Sequence, residues 1–255
     1  MKFSELDTRM RVFETANDLC VLPGVYAVAR LDGRSFTRLT KEVHDFEKPF
    51  DPRFRDMMVE TTRYLMGETG MCFAYGYTQS DEISLLFSPA DETFGRKLRK
   101  LGSVLAGEAS AKFTSLLGDI AAFDCRISQL PGQKMVTDYF RWRNEDAHRN
   151  SLSAHCYWAL RKAGASPAEA TSKLEGRSVA DKNELLFSRG VNFNELPLWQ
   201  RRGVGVVWEG YEKAGMNPTT GETTTVRRRR LAAVMELPMR EAYERFVARF
   251  IDPVA

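Results

Sequence analysis

The sequence predicts an α+β fold: a ferredoxin-like βαββαβ unit, then a mainly helical C-terminal region containing one strand pair. Three observations predict it. Period-two and period-3.6 apolar segments alternate as strand, helix, strand, strand, helix, strand between residues 25 and 128. Glycine, proline and aspartate clusters separate these segments. From Pro131 onward the pattern turns largely helical. Right-handed crossovers then predict one four-stranded antiparallel sheet with both helices on one face and the other face open.

Each element follows from local chemistry. Val25 to Leu31 reads as a strand between Pro23-Gly24 and Asp32-Gly33, with Val25, Ala27, Ala29 and Leu31 on one face. Tyr26, Val28, Arg30 and Asp32 take the other, more polar face. A helix starts at Asp51-Pro52, with Asp51 as cap, proline in the first turn and Gly70 past its end. In the hairpin that follows, Cys72 to Tyr77 alternates small residues with Phe73, Tyr75 and Tyr77. Thr78 to Glu82 forms its polar turn, and Ile83, Leu85 and Phe87 mark one face of the return strand. A helix from Glu92 to Leu117 is expected to bury Phe94, Leu98, Leu101, Leu105, Ala109, Phe113 and Leu116. Ala121 to Ser128 is a strand with Phe123, Cys125 and Ile127 on one side.

Beyond Pro131, Ser166-Pro167-Ala168-Glu169 is a capping box, and Ser178 opens another helix with Asp181 three residues on. Val204 to Tyr211 and Thr223 to Val234 form the strand pair, joined by a loop with Asn217-Pro218 and Gly221, and Glu241 to Ile251 is a closing helix. No low-complexity linker separates the halves, so residues 1–130 and 131–255 are expected to pack as one compact unit.

Lys plus Arg number 37 against 34 Asp plus Glu, a net charge of +3, which excludes a strongly basic nucleic-acid coat and an acidic tail but not local basic stripes. No apolar run is long enough for a membrane helix, and the charged segment Met1 to Leu22 is no signal peptide. Cys20, Cys72, Cys125 and Cys156 lie far apart, unlike a zinc site or disulfide framework, and Cys72, Cys125 and Cys156 read as small buried hydrophobes. A cytoplasmic protein with reduced thiols is expected.

The acids carry the functional signal. Asp32 ends the first strand, Asp81-Glu82 occupies the hairpin turn, and this topology brings the two places together. Carboxylates about 4 Å apart repel by roughly 4 kcal/mol at an effective dielectric near 20. Protonation, arginine or a divalent cation makes such a cluster tolerable. Magnesium commonly uses one or two carboxylates plus substrate phosphates, an arrangement that serves nucleotidyl transfer. Gly33 allows backbone amides to approach a triphosphate. The stripe Arg96, Lys97, Arg99, Lys100 is either a solvated helix face or an RNA-backbone contact. The run Arg227 to Arg230 places two arginines on each side of a strand, and Tyr139-Phe140-Arg141-Trp142-Arg143 suits base stacking as well as core packing.

Over Lys2 to Ala233 the chain resembles the tRNA-histidine guanylyltransferases and their bacterial and archaeal relatives, the 3′–5′ RNA polymerases. The motifs are Arg30-Leu31-Asp32-Gly33-Arg34-Ser35-Phe36, Phe46-Glu47-Lys48-Pro49, Gln79-Ser80-Asp81-Glu82, Trp142-Arg143, Ala180-Asp181-Lys182-Asn183-Glu184-Leu185-Leu186-Phe187 and Asn194-Glu195-Leu196-Pro197. The resemblance implies a palm-like catalytic domain over residues 1–130, using two Mg2+ ions. Asp32, Asp81 and the Gly33 carbonyl would be ligands, with Glu82 in support. Asp32, Gly33, Arg34, Ser35, Phe36 and Thr37 would wrap a nucleoside triphosphate, with Lys48 and Ser80 near the nucleotide. The implied substrates are ATP, GTP or another NTP together with tRNA, with His148, Asn150 and Lys182 as RNA contacts and a tetramer as the assembly.

One departure bears on the activity. The guanylyltransferases proper carry a His-Ile-Asn-Asn-Leu-Tyr-Asn segment, whereas this chain has His148-Arg149-Asn150-Ser151-Leu152-Ser153-Ala154, keeping the His, one Asn and the Leu. That favours the branch that repairs 5′-truncated tRNA by templated addition over strict histidine-tRNA guanylylation. A nucleotidyl cyclase and a non-catalytic RNA-binding module are the competing classes.

Overall fold

A sheet with two apolar faces needs two covering layers, and the chain supplies both. The computed structural model describes residues 1–216 and 223–251, so the loop expected at Asn217-Pro218 and Gly221 lies outside the described residues. The N-terminal half runs α1 (Phe3–Thr15), β1 (Tyr26–Gly33), α2 (Phe36–Arg38) with a π-helical continuation Leu39–Val43, and α3 (Pro52–Glu68). Then come β2 (Phe73–Gln79), β3 (Glu82–Phe87), α4 (Leu98–Leu117) and β4 (Phe123–Leu130). The second half comprises α5 (Gln133–Lys162), α6 (Pro167–Leu174), α7 (Val179–Phe187), α8 (Leu198–Arg202), β5 (Val204–Met216), β6 (Thr223–Val234) and α9 (Arg240–Ile251).

The first four strands take the ferredoxin-like order β4-β1-β3-β2, and the later strand pair extends the same sheet to six strands, β4-β1-β3-β2-β5-β6. Every pairing is antiparallel. The sheet is therefore wider than the four strands expected. Ala27, Ala29, Leu31, Ile83, Leu85 and Phe87 pack with Phe54, Met58, Leu65, Leu101, Leu105 and Phe113 of α3 and α4. The opposite face, expected to stay open, is covered. Val28, Tyr75, Tyr77 and Leu86 pack there against Val136 and Phe140 of α5 and Tyr243 and Val247 of α9. The physical reason is local: a β-bulge between Phe73 and Tyr75 sends Phe73 to the α3/α4 side and both tyrosines to the other. Phenols that far from water need partners; Tyr75 Oη meets Tyr243 Oη at 2.9 Å, and Tyr77 Oη donates to the Arg202 carbonyl at 3.0 Å.

Several local readings hold. Asp51 caps α3 with proline in the first turn, and both expected capping boxes form at Ser166 and Ser178. Others need correction. The helix expected from Glu92 begins at Leu98, because Phe94 and Gly95 adopt left-handed backbone angles, and Phe94 is 42% exposed. Leu116 is also exposed rather than buried. Cys72 is exposed, Cys125 half-buried and Cys156 buried, all as free thiols. The N-terminal helix α1, which the periodicity does not announce, buries none of its residues. Among the described residues no helix is long and apolar enough to cross a membrane.

Asp51 does more than start a helix. Its carboxylate accepts from the backbone N–H groups of Arg53 and Glu47, both at 2.7 Å, which anchors the loop from Phe46 to Asp51. The Arg53 guanidinium bonded to it, with help from those N–H groups, holds its carboxyl down to about 2 against the opposing effect of burial. Asp51→Ala is expected to cost about 1–2 kcal/mol in urea unfolding, with Asp51→Asn losing less because it keeps a cap. A lowered native value means the stabilisation is full above the ordinary value of 3.8 and is lost as pH falls toward about 2. Unfolding at stepped pH should show the wild-type advantage over the alanine variant shrinking through that interval.

Candidate active site

The antiparallel register of β1 and β3 puts Asp32 directly opposite Glu82, and the turn between β2 and β3 contains only Ser80 and Asp81. The Gly33 N–H donates to the Asp81 carbonyl at 3.0 Å, tying the end of β1 to that turn. Residues far apart in sequence thus share one sheet edge. Ser80 holds a left-handed φ of 53° and donates from Oγ to Asp81 Oδ1 at 3.0 Å. Such a conformation in a residue with a side chain costs of order 1–3 kcal/mol, and it turns the aspartate into the cavity.

The three acids are not equivalent. Arg143, from α5, donates through Nε and Nη2 to both oxygens of Glu82, each at 2.7 Å. That fork is 12% exposed and its carboxylate 14%, so the pair is nearly dry. Arg30 adds a second positive charge 3.8 Å away. Glu82 is therefore neutralised and held, a supporting acid. Asp32 and Asp81 have no cationic partner among the described residues. Burial pushes the Asp81 carboxyl above its ordinary value, the charges of Asp32 and Glu82 push the same way, and hydrogen bonds from its own backbone and Ser80 oppose them. Asp124, opposite Asp32 on the other flank, is exposed and lies 3.7 Å from Arg126.

This donor set consists of oxygens in an electrostatically unbalanced pair, which suits a hard divalent cation. Among the described residues no group of three or more His, Cys, Asp or Glu forms a self-sufficient metal cage. Two carboxylates with a backbone carbonyl nearby leave positions for water and substrate phosphate, the manner in which magnesium is usually held.

The loop after β1 is shaped by the core. A Cβ on Gly33 would sit 2.5 Å from Phe36 Cγ, so glycine lets the Phe36 ring fold back beneath the acids. That ring packs against Phe54, Phe113 and Phe123. Ser35 is left-handed, with φ 62°, and the Arg34 N–H donates to the Ala122 carbonyl at 2.8 Å. A cavity of about 940 Å3 opens over this edge, lined by Asp32, Phe36, Thr37, Ser80, Asp81 and Glu82 on one side. Arg143, Asp146 and Asn150 of α5 line the other. Lys48 lies in an adjoining pocket of about 90 Å3 that shares Gln79 and Ser80 with the first, and its ammonium donates to the Phe46 carbonyl at 2.6 Å.

The basic stripe is elsewhere. Arg96 donates to the carbonyl of Val25, just ahead of β1 and at its far end from Asp32. Lys97 and Arg99 both pair with Asp18, and Lys100 is exposed. His148 is half-buried against the Phe193 ring, and burial, reinforced by Arg201 and Arg202, pushes its pKa down. Lys182 reaches Ser153 Oγ at 3.1 Å. Asn150 lines the cavity and donates to Asp146. In the Tyr139 to Arg143 segment, Tyr139 and Phe140 are core, while Trp142 is exposed with the Arg143 guanidinium over its ring. The arginines 227–230 are exposed; Arg230 pairs with Glu209, Arg227 lies opposite Glu212, and Arg229 sits over Trp208. Sequence reasoning did not assign roles to Arg143, Asp146 or Lys41. Their common signal is faint: the Trp142-Arg143 motif names the arginine, but its partner is known only once α5 crosses the sheet.

A family model described as tRNAHis guanylyltransferase matches residues 7–131, and one described as Thg1 C terminal domain matches residues 134–241. A probable tRNA(His) guanylyltransferase of Bos taurus is 35% identical over 216 residues, covering 80% of this chain and 71% of its own. Among solved structures, a bacterial tRNA(His) guanylyltransferase-like protein in complex with ATP is 29% identical with a TM-score of 0.77, covering 98% of this chain and 99% of that one. One in complex with GTP is 30% identical with a TM-score of 0.72, covering 97% and 99%.

Because its charge is opposed by burial and by two acidic neighbours, Asp81 lowers the stability of the metal-free protein. Asp81→Asn should raise the thermal midpoint in chelator by about 2–4 °C, the scale of 1 kcal/mol in a chain of this size. A raised native value means the wild-type carboxyl's contribution is intact below its ordinary value of 3.8 and lost as pH rises through the native one. The variant's advantage should accordingly widen across the pH range above the ordinary value of 3.8 in calorimetric scans. An advantage that narrows over that interval contradicts the electrostatic account.

Proposed function

The chain belongs to the tRNAHis guanylyltransferase family of nucleotidyltransferases, and on that premise we propose that it extends the 5′ end of tRNA in the 3′–5′ direction, repairing 5′-truncated molecules by templated addition. The observation that carries this reading is the pair Asp32 and Asp81, uncompensated at one cavity edge, while Arg143 takes up Glu82. Such a pair suits chemistry in which phosphate oxygens gain charge.

The reaction has two displacements at phosphorus. In the first, the 5′-monophosphate of the tRNA attacks the α-phosphorus of ATP or GTP, and pyrophosphate leaves. In the second, the 3′-hydroxyl of an incoming NTP attacks the activated 5′-phosphorus, and the nucleoside monophosphate leaves. Asp32, Asp81 and the Gly33 carbonyl would hold two Mg2+ ions, which would supply neutralisation of charge on the attacking and leaving oxygens. The chain's own groups do the rest. Glu82, clamped by Arg143 and Arg30, steadies the edge on which both aspartates stand. Gly33, Arg34, Ser35, Phe36 and Thr37 form the loop against which a triphosphate lies, with the buried Phe36 ring keeping that loop in place. Ser80 and Lys48 line the adjoining pocket, which supports a role for them beside the nucleotide. Asn150, at the cavity wall, is better placed for the RNA end than the Arg96–Lys100 stripe, which suits a more distant part of the RNA or a second subunit of a tetramer.

The departure at His148 to Ala154 favours templated repair over strict addition of one guanosine to histidine tRNA. The deciding assay supplies 5′-monophosphorylated, 5′-truncated tRNA, all four NTPs and Mg2+, and sequences the product's 5′ end. Nucleotides complementary to the opposite strand are expected, and Asp32→Ala or Asp81→Ala should lower the rate by at least about 10²-fold while leaving the fold intact. A single guanosine added only to histidine tRNA would establish the strict activity instead. A cyclic nucleotide formed from free NTP would move the chain to the cyclase class.

A further inference from the structure

The active-site cavity does not end at the acids. Arg143, Asp146, Asn150, Ser153 and Tyr157 of α5 all line it, at spacings that keep them along one side of the helix. The fourteen residue steps from Arg143 to Tyr157 correspond to about 21 Å along the helix axis. The cavity is thus an elongated groove with the carboxylates at one end and Tyr157 toward the other.

Two cationic side chains line it, Arg143 and Lys41. Arg143 is committed to Glu82 and to Asp146, at 3.3 Å from the latter. Lys41, from the π-helical continuation of α2, has no carboxylate partner among the described residues. Its ammonium stands 5.4 Å from the centroid of the Tyr157 ring, across the groove from its own segment. A cation over an aromatic face is positioned by the ring's quadrupole without surrendering its charge, whereas a carboxylate would neutralise it. Of the acids in the groove, Glu82 and Asp146 answer to Arg143, Asp32 and Asp81 form the cation-holding pair, and Glu175 lies at the end of α6. Among the described residues, Lys41 is the groove-lining positive charge without a carboxylate partner.

We infer that Lys41, steadied by the Tyr157 ring, is a positioning residue that grips a backbone phosphate of the RNA a few nucleotides from its reacting 5′ end. The separation carries the choice of ligand. Tyr157 borders the long cavity but not the smaller pocket that Lys41 shares with Lys48 and Ser80, and a nucleic-acid strand repeats phosphates at intervals a nucleoside triphosphate lacks. The inference rests on the proposed RNA-extending function, and its first test is a binding measurement that needs no turnover, with KM values as a second readout.

The experiment titrates a 5′-monophosphorylated acceptor-stem RNA hairpin against the full chain at several salt concentrations, and separately measures KM for ATP and for tRNA. Lys41→Ala should weaken RNA binding several-fold and reduce the slope of log K against log salt by about 0.7–0.9, one phosphate contact. Lys41→Arg should keep most of that slope. Tyr157→Ala should raise the KM for tRNA with the KM for ATP unchanged, and Tyr157→Phe, which keeps the ring face, should match wild type. An unchanged salt slope in Lys41→Ala, or a change confined to the KM for ATP, overturns the inference. A wild-type chain that binds RNA through Lys41 yet adds no nucleotide would overturn the activity assignment and leave the phosphate grip standing.

Discussion

Everything at the active edge depends on holding three carboxylates together without letting them push the sheet apart. The β1–β3 register fixes Asp32 opposite Glu82, and the tight turn brings Asp81 alongside. Left alone, such a group would repel by several kcal/mol in a partly desolvated setting. The protein resolves the conflict unevenly. Glu82 receives the Arg143 fork and the nearby Arg30, while Asp32 and Asp81 line the cavity with no cationic partner among the described residues. The imbalance left in that pair is the feature on which the proposed cation site rests.

Arg143 can do this only because α5 lies across a sheet face. That helix is held there by Val136 and Phe140, which pack with Tyr75, Tyr77 and the α9 residues Tyr243 and Val247. The apolar packing of the second layer and the chemistry of the site are therefore one arrangement. Burial of the tyrosines draws α5 and α9 onto the sheet, and the next turns of α5 then carry Arg143, Asp146 and Asn150 along the cavity. Loss of packing far from the acids would misplace the group that neutralises Glu82.

The local elements were largely legible. Capping residues, turn glycines and apolar period fix Asp51 at the start of α3, Ser166 and Ser178 at the starts of α6 and α7, and Asp32 at the end of β1. Asp32, Asp81 and Glu82 could be placed together because βαββαβ connectivity admits few arrangements. Where the reading failed, backbone geometry or a distant partner decided the outcome. Phe94 fits the helical period but is left outside α4 by the left-handed backbone at Phe94 and Gly95. Phe73 alternates with Tyr75 in sequence, yet a bulge separates their faces. The Arg96–Arg99 charges look free until Asp18 and the Val25 carbonyl arrive from a segment about seventy to eighty residues earlier.

What the sequence by itself determined is the first four strands and the helices between them, the strand edge on which the acids stand and the kind of reaction such acids serve, because hydrophobic period, capping and short connections act within a few residues. What only the tertiary structure decided is which acid is neutralised, which cation stays free and how far the cavity runs. Those depend on α5 meeting β3 and on Lys41 meeting Tyr157, contacts between segments whose separation in the chain carries no local signal.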